Sequence, residues 1–74
     1  MTLDLLKVNE TGIVTGYNSN ASTRKQLLAM GLTRNTPVTV VRVAPLGDPI
    51  EIKLRSFSLI LRKQDAAQIL VCKV

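Results

Sequence analysis

The sequence has no histidine, no tryptophan, a single cysteine (Cys72) and only two aromatic residues, Tyr17 and Phe57. One cysteine excludes a disulfide within the chain. With no histidine and no second cysteine, a Cys/His zinc site is excluded too. The usual general base of enzymes is also missing. The five acids, Asp4, Glu10, Asp48, Glu51 and Asp65, are scattered along the chain, and no nucleophile has a neighbouring base to activate it. The four glycines form no phosphate-binding loop of the G-x-x-x-x-G-K-[ST] type. The chain is therefore not expected to be an enzyme, and no cofactor is implied. No stretch approaches the roughly 20 apolar residues of a membrane helix. Met1–Leu6 lacks the basic start and apolar run of an export signal. A chain with one thiol and no such signal is expected in the cytoplasm.

What is present is aliphatic. The chain of 74 residues is 46 % apolar, almost all Leu, Val, Ile and Ala. That length suits one domain, residues 1–74, with no linker or repeat. A chain this short buries only about 60 % of its unfolded surface, so it depends on dense packing or on a partner. Ten Lys and Arg against five Asp and Glu give a net charge of +5. Such a balance serves solubility, and it also suits an acidic protein face, nucleic acid or anionic lipid.

The pattern along the chain is mainly β. Leu3, Leu5 and Leu6 are expected to pack a short lead-in onto the body. Thr11–Tyr17 reads as a strand, with Gly12 and Gly16 allowing a bulge or a close backbone approach. A short helix follows the polar Asn18–Ser22. Thr23 to Gln26 fits a capping box, and Asn20 is an alternative cap one turn earlier. Gly31 suits the left-handed helix end, with Leu32 making its apolar contact. Val38–Ala44 is β-branched and too short for a helix. Pro45–Pro49 is a tight connection. Ile50–Leu54 alternates cleanly, and after a two-residue turn at Arg55-Ser56 so does Phe57–Arg62, with Phe57, Leu59 and Leu61 inward. Lys63–Gln68 suits one helical turn, and Ile69–Val74 closes as a strand. Five short strands at this spacing suggest a small closed barrel, which has no sheet edges.

Three segments carry a family resemblance: Arg24–Leu32, ending Met-Gly-Leu; the run from Val41 to Ile50 containing RVAPLGDPI; and Ser58–Lys63, strand residues followed by a basic pair. In this order and spacing the chain resembles the FeoA family from about Leu5 to Val74. The resemblance implies an SH3-like five-stranded barrel with one short helix, a fold shared with the C-terminal domain of DtxR-type metal-dependent repressors. It also implies a bacterial or archaeal cytosolic protein of ferrous-iron uptake whose partner is FeoB, a membrane transporter with a GTPase domain; the alternative is a standalone SH3-like protein-interaction module outside iron uptake. Through that partner the chain would sit peripherally at the inner membrane. The family pattern places a glycine in the turn where this chain has Ser56.

Several constellations have competing readings. Asp48 and Glu51 could form a hard metal site. However, Asp48 suits a turn residue that bonds its own backbone, and Glu51 alternates outward, so no metal ligands are assigned. Cys72 reads as a small core residue. Nucleic acid is not expected as a partner: cations are plentiful, but an inward Phe57 leaves Tyr17 alone for stacking. Leu27, Leu28, Met30 and Leu32 read as core, plugging one end of the barrel. Arg42 reads as an outward residue with its stem on the barrel, or as part of a basic patch with Arg62 and Lys63. Loops on rigid scaffolds carry recognition, so the partner-binding set is taken as Arg42, Pro45, Leu46, Asp48, Pro49, Arg62 and Lys63. The strand Ile69–Val74 could form an exposed edge and pair between copies.

Overall fold

The computed structural model describes residues 1–74. A 3-10 turn, Leu3–Leu5, is followed by β1 (Thr11–Tyr17), α1 (Ala21–Ala29), β2 (Pro37–Val43), β3 (Ile50–Leu54), β4 (Phe57–Leu61), α2 (Lys63–Ala66) and β5 (Ile69–Lys73). All strand pairs are antiparallel, in the order β4-β3-β2-β1-β5. The expected closed barrel is thus corrected to an open one, because β4 and β5 do not pair. The 3-10 turn lies against α2 and β5, and Leu3, Leu6 and Ala66 from this region join the buried core. These side chains extend the core beside β5.

The core contains 14 buried aliphatic residues, among them Val14, Val38, Val40, Ile52, Leu54, Leu61, Ile69 and Val71. Each fully buried Val, Leu or Ile contributes roughly 1.5–3 kcal/mol, and this burial is the principal stabilising term in a chain with no internal cross-link. In the lead-in, Leu3 and Leu6 are buried but Leu5 is exposed. A 3-10 turn repeats every three residues, so positions 3 and 6 share a side and position 5 points away.

Two bulges bend the sheet. In β1, Val14 pairs with Val71 and Gly16 with Leu70, leaving Thr15 as the extra residue. Gly12 is a close approach: a Cβ there would stand 3.0 Å from Val71 Cβ and 3.2 Å from Leu6 Cδ1. In β2, Val41 is the extra residue between the Val40–Ile52 and Arg42–Glu51 pairs.

Asn20 caps α1, its side-chain oxygen accepting from the Thr23 N–H at 2.8 Å. The alternative start at Thr23 falls inside the helix. At the other end Gly31 has φ +97°. The Leu32 N–H donates to the Leu27 carbonyl (3.1 Å) and the Gly31 N–H to that of Leu28 (3.0 Å). These are the two bonds of a Schellman ending. Leu27 and Leu32 are buried, Met30 packs partly against the core, and Leu28 is exposed. The proposed core stripe therefore holds except at Leu28.

The Arg55-Ser56 turn takes its positive φ (48°) at Arg55 and not at Ser56. The expectation for Phe57 is corrected: it stands opposite buried Leu54, on the inward phase, yet is 44 % exposed. It opens β4, an edge strand with no neighbour on its outer side, and its ring reaches only as far as Gly31, where a Cβ would be 3.0 Å from Phe57 Cζ. Cys72 is also corrected, from core to exposed, because it follows Val71 on the outward phase of β5.

Candidate protein-docking site

The bulge in β2 turns Arg42 to the outer face. There it stands opposite Glu51 on β3, which in turn faces Ile60 on β4. Arg42 Nε lies 3.5 Å from Glu51 Oε1. The Arg42 side chain is largely in water, so the pair contributes about 0–1 kcal/mol and mainly orients the two groups. Arg42, Glu51 and Ile60 form a row across three strands. With Ala44 and Pro49 they line a shallow cleft of about 160 Å³. Ile60 is 68 % exposed, a large apolar side chain that the chain itself leaves uncovered.

The connection Pro45–Pro49 projects beside this row. The Gly47 N–H donates to the Ala44 carbonyl (2.7 Å) and the Ala44 N–H to that of Pro49 (3.1 Å). Gly47 takes φ +85°, a conformation that favours glycine. These constraints hold Leu46 at the tip, 96 % exposed. The expectation that Asp48 bonds its own backbone is corrected: Asp48 Oδ1 accepts from the Lys63 N–H at 2.9 Å. A carboxylate thus anchors the loop to the start of α2, where backbone N–H groups lack helical partners. Lys63 Nζ lies 4.0 Å from the place a Cβ on Gly47 would occupy.

Of the seven expected residues, Arg42 and Pro49 line the cleft, Asp48 and Lys63 tie the loop to α2, and Pro45, Leu46 and Arg62 are exposed. Sequence reading missed Ile60 and Ala44. The signal for Ile60 was present: once Leu59 and Leu61 are assigned inward, an isoleucine between them faces water. The surroundings are basic. The ion pairs are Arg42–Glu51 and Lys73–Glu10, so Lys53, Arg55, Arg62 and Lys63 carry charge that no carboxylate pairs. Glu51 is held by Arg42 and Asp48 by a backbone N–H, and no three His, Cys, Asp or Glu side chains come together to hold a metal ion. Tyr17 donates its hydroxyl to the Leu32 carbonyl, while Phe57 exposes part of its ring.

A FeoA domain family model matches residues 1–73. The chain belongs to the FeoA family. It is 32 % identical over 69 residues to a Fe(2+) transport protein A/Fe(2+) transporter FeoB fusion protein of Porphyromonas gingivalis, covering 93 % of this chain and 8 % of that protein. Among solved structures, the FeoA protein of Chlorobium tepidum is 35 % identical, with a TM-score of 0.90 over 100 % of this chain and 70 % of that one. A FeoA-like protein of Clostridium acetobutylicum is 34 % identical, with a TM-score of 0.92 over 100 % and 86 %. Two more distant structures show the fold alone. One is the SH3 domain protein FeoA of Stenotrophomonas maltophilia, solved with zinc, at 22 % identity and TM-score 0.84 over 97 % of this chain and 89 % of that one. The other is the metal-dependent transcriptional regulator MtsR, at 16 % and 0.86 over 100 % and 36 %. The open barrel is thus SH3-like and shared with metal-dependent repressors.

Proposed function

We propose that this FeoA-family chain is a cytosolic accessory protein of ferrous-iron uptake that docks on a FeoB-type membrane transporter and performs no chemistry of its own. The observation that carries this reading is the Porphyromonas gingivalis relative, in which a matching segment and a FeoB transporter form one polypeptide. Fusing two modules raises their effective concentration for each other, which has a use only if they meet. The docking face is the corner of Arg42, Pro45, Leu46, Asp48, Pro49, Arg62 and Lys63. It combines a rigid loop, an uncovered leucine and a basic rim, suited to an acidic partner surface with an apolar recess. Docking alters transport only if the two conformations of the transporter are bound unequally.

The test is affinity capture of the tagged chain on membranes of its own source cell. The expected result is recovery of a FeoB-type transporter, reduced by Leu46→Asp, a change at a fully exposed tip that leaves the fold intact. Capture without the transporter, or of RNA in its place, contradicts the reading.

A further inference from the structure

The two edges of the sheet are treated differently. On β5, Met1 and Thr2 pair with Val71 and Leu70: the Val71 N–H donates to the Met1 carbonyl (2.8 Å), the Met1 ammonium donates to the Val71 carbonyl (3.3 Å), and Thr2 bridges Leu70. On β4 the outer side has no partner. Leu54 and Phe57 close the two-residue hairpin and exchange the hydrogen bonds of its first rung. The same rung type recurs at Ile52–Leu59 and Ile50–Leu61. The intervening residues, Ser58 and Ile60, therefore aim their N–H and C=O groups at open space. Free edges are ordinarily blunted by a bulge, a proline or a charge within the strand. β4 reads Phe-Ser-Leu-Ile-Leu, regular throughout its pairing with β3, and has none of these.

From this we infer that the outer edge of β4 takes an extended, acidic segment of a partner protein as a sixth strand. Backbone bonds to Ser58 and Ile60 would supply the register. Alternate side chains of the segment would lie beside Ile60 and the Arg42–Pro49 cleft on one face and beside Phe57 on the other. The charge is argued from the flanks: Arg55 at one end, Arg62 and Lys63 at the other, and Lys53 on the neighbouring strand, all without a carboxylate partner. The same flanks disfavour a second copy. Antiparallel β4–β4 pairing with Ser58 opposite Ile60 would bring the Arg55 end of each copy against the Arg62-Lys63 end of the other, and like charges placed opposite destabilise a pair. The inference deepens the docking reading by naming the strand and the chemistry of the segment it takes.

The test uses the full chain, isotopically labelled for NMR, and the capped heptapeptide Glu-Val-Glu-Val-Glu-Val-Glu, so it stands or falls apart from the membrane capture. The largest amide shifts are expected at Ser58 and Ile60. Affinity should weaken about tenfold between low and physiological salt, as exposed charge pairs are screened. A Lys-Val peptide of the same length should not bind. Ser58→Pro should abolish binding while leaving the β3 ladder intact, since the Ser58 N–H does not serve that ladder. Should that variant lose its native spectrum, Ser58→Glu serves instead, an edge charge that repels the acidic segment and keeps the backbone donor. Shifts centred elsewhere, equal binding of the lysine peptide, no binding of the acidic one, or unchanged binding by a folded edge variant would each overturn the inference. So would concentration-dependent shifts at β4 without peptide, which would assign the edge to self-association.

Discussion

The two edge strands, β4 and β5, are each five residues long and close to equally apolar, yet only one is protected. β5 is covered by Met1 and Thr2, and its far end is fastened by Lys73 Nζ to Glu10 Oε2 at 2.6 Å. β4 opens on a half-exposed phenylalanine and carries a bare isoleucine. The same backbone physics acts on both: an unpaired N–H or C=O in a strand is a template for another strand. The difference teaches that the N-terminal lead-in is part of the sheet's edge management, and that no segment of the chain does the same for β4.

The contrast can be broken most strongly from the protected side. Leu3 anchors the lead-in and is fully buried. Leu3→Ala should cost about 2–5 kcal/mol, measured by denaturant unfolding, and should also release Met1 and Thr2 from β5. Exposing that edge should produce self-association visible by light scattering. Within β4 the inner and outer phases can be compared directly. Leu61→Ala should cost about 2–5 kcal/mol, whereas Ile60→Ser should change stability by under about 1 kcal/mol. Equal losses would contradict the assigned phases. Gly31→Ala forces an L residue to φ +97° and its Cβ toward Phe57 Cζ. Its expected cost is about 1–2 kcal/mol, with the nearest shifts at Phe57.

The smallest effect concerns Glu10. Its carboxyl is held below the ordinary carboxylate pKa, first by the Lys73 hydrogen bond and then by the backbone N–H of Lys7. A depressed folded pKa means stability present above the unfolded value and lost as pH falls through the folded one. Glu10→Gln should therefore lower stability slightly at neutral pH, converge with the parent chain in acid, and so flatten the acid limb of the stability profile. An identical acid limb in the variant would refute the contribution.

Much of the fold was legible because local and tertiary demands agree. Ile50–Leu54 alternates in sequence and in burial alike. Met30-Gly31-Leu32 announced a helix end whose two bonds are present. What was illegible depended on distance or on edges. Val40-Val41-Arg42 has no alternation to reveal that Val41 is a bulge. The open barrel depends on whether β4 reaches β5, which no short pattern encodes. Phe57 was assigned its face correctly but its exposure wrongly, because alternation reports phase and not what lies overhead. The candidate corner was legible as a set of residues. The Asp48–Lys63 anchor was not, because it joins positions far apart in sequence through a backbone donor available at any residue.

The most direct test of the central claim is amide hydrogen exchange on the full chain, alone and with purified, detergent-solubilised FeoB-type transporter. Alone, the Ser58 and Ile60 amides should exchange fast while that of Val71, bonded to Met1, is protected. With the transporter, Ser58 and Ile60 should become protected and β5 should be unchanged. Protection confined to other surfaces, or none at all, would contradict the account of β4 as the edge kept open for a partner.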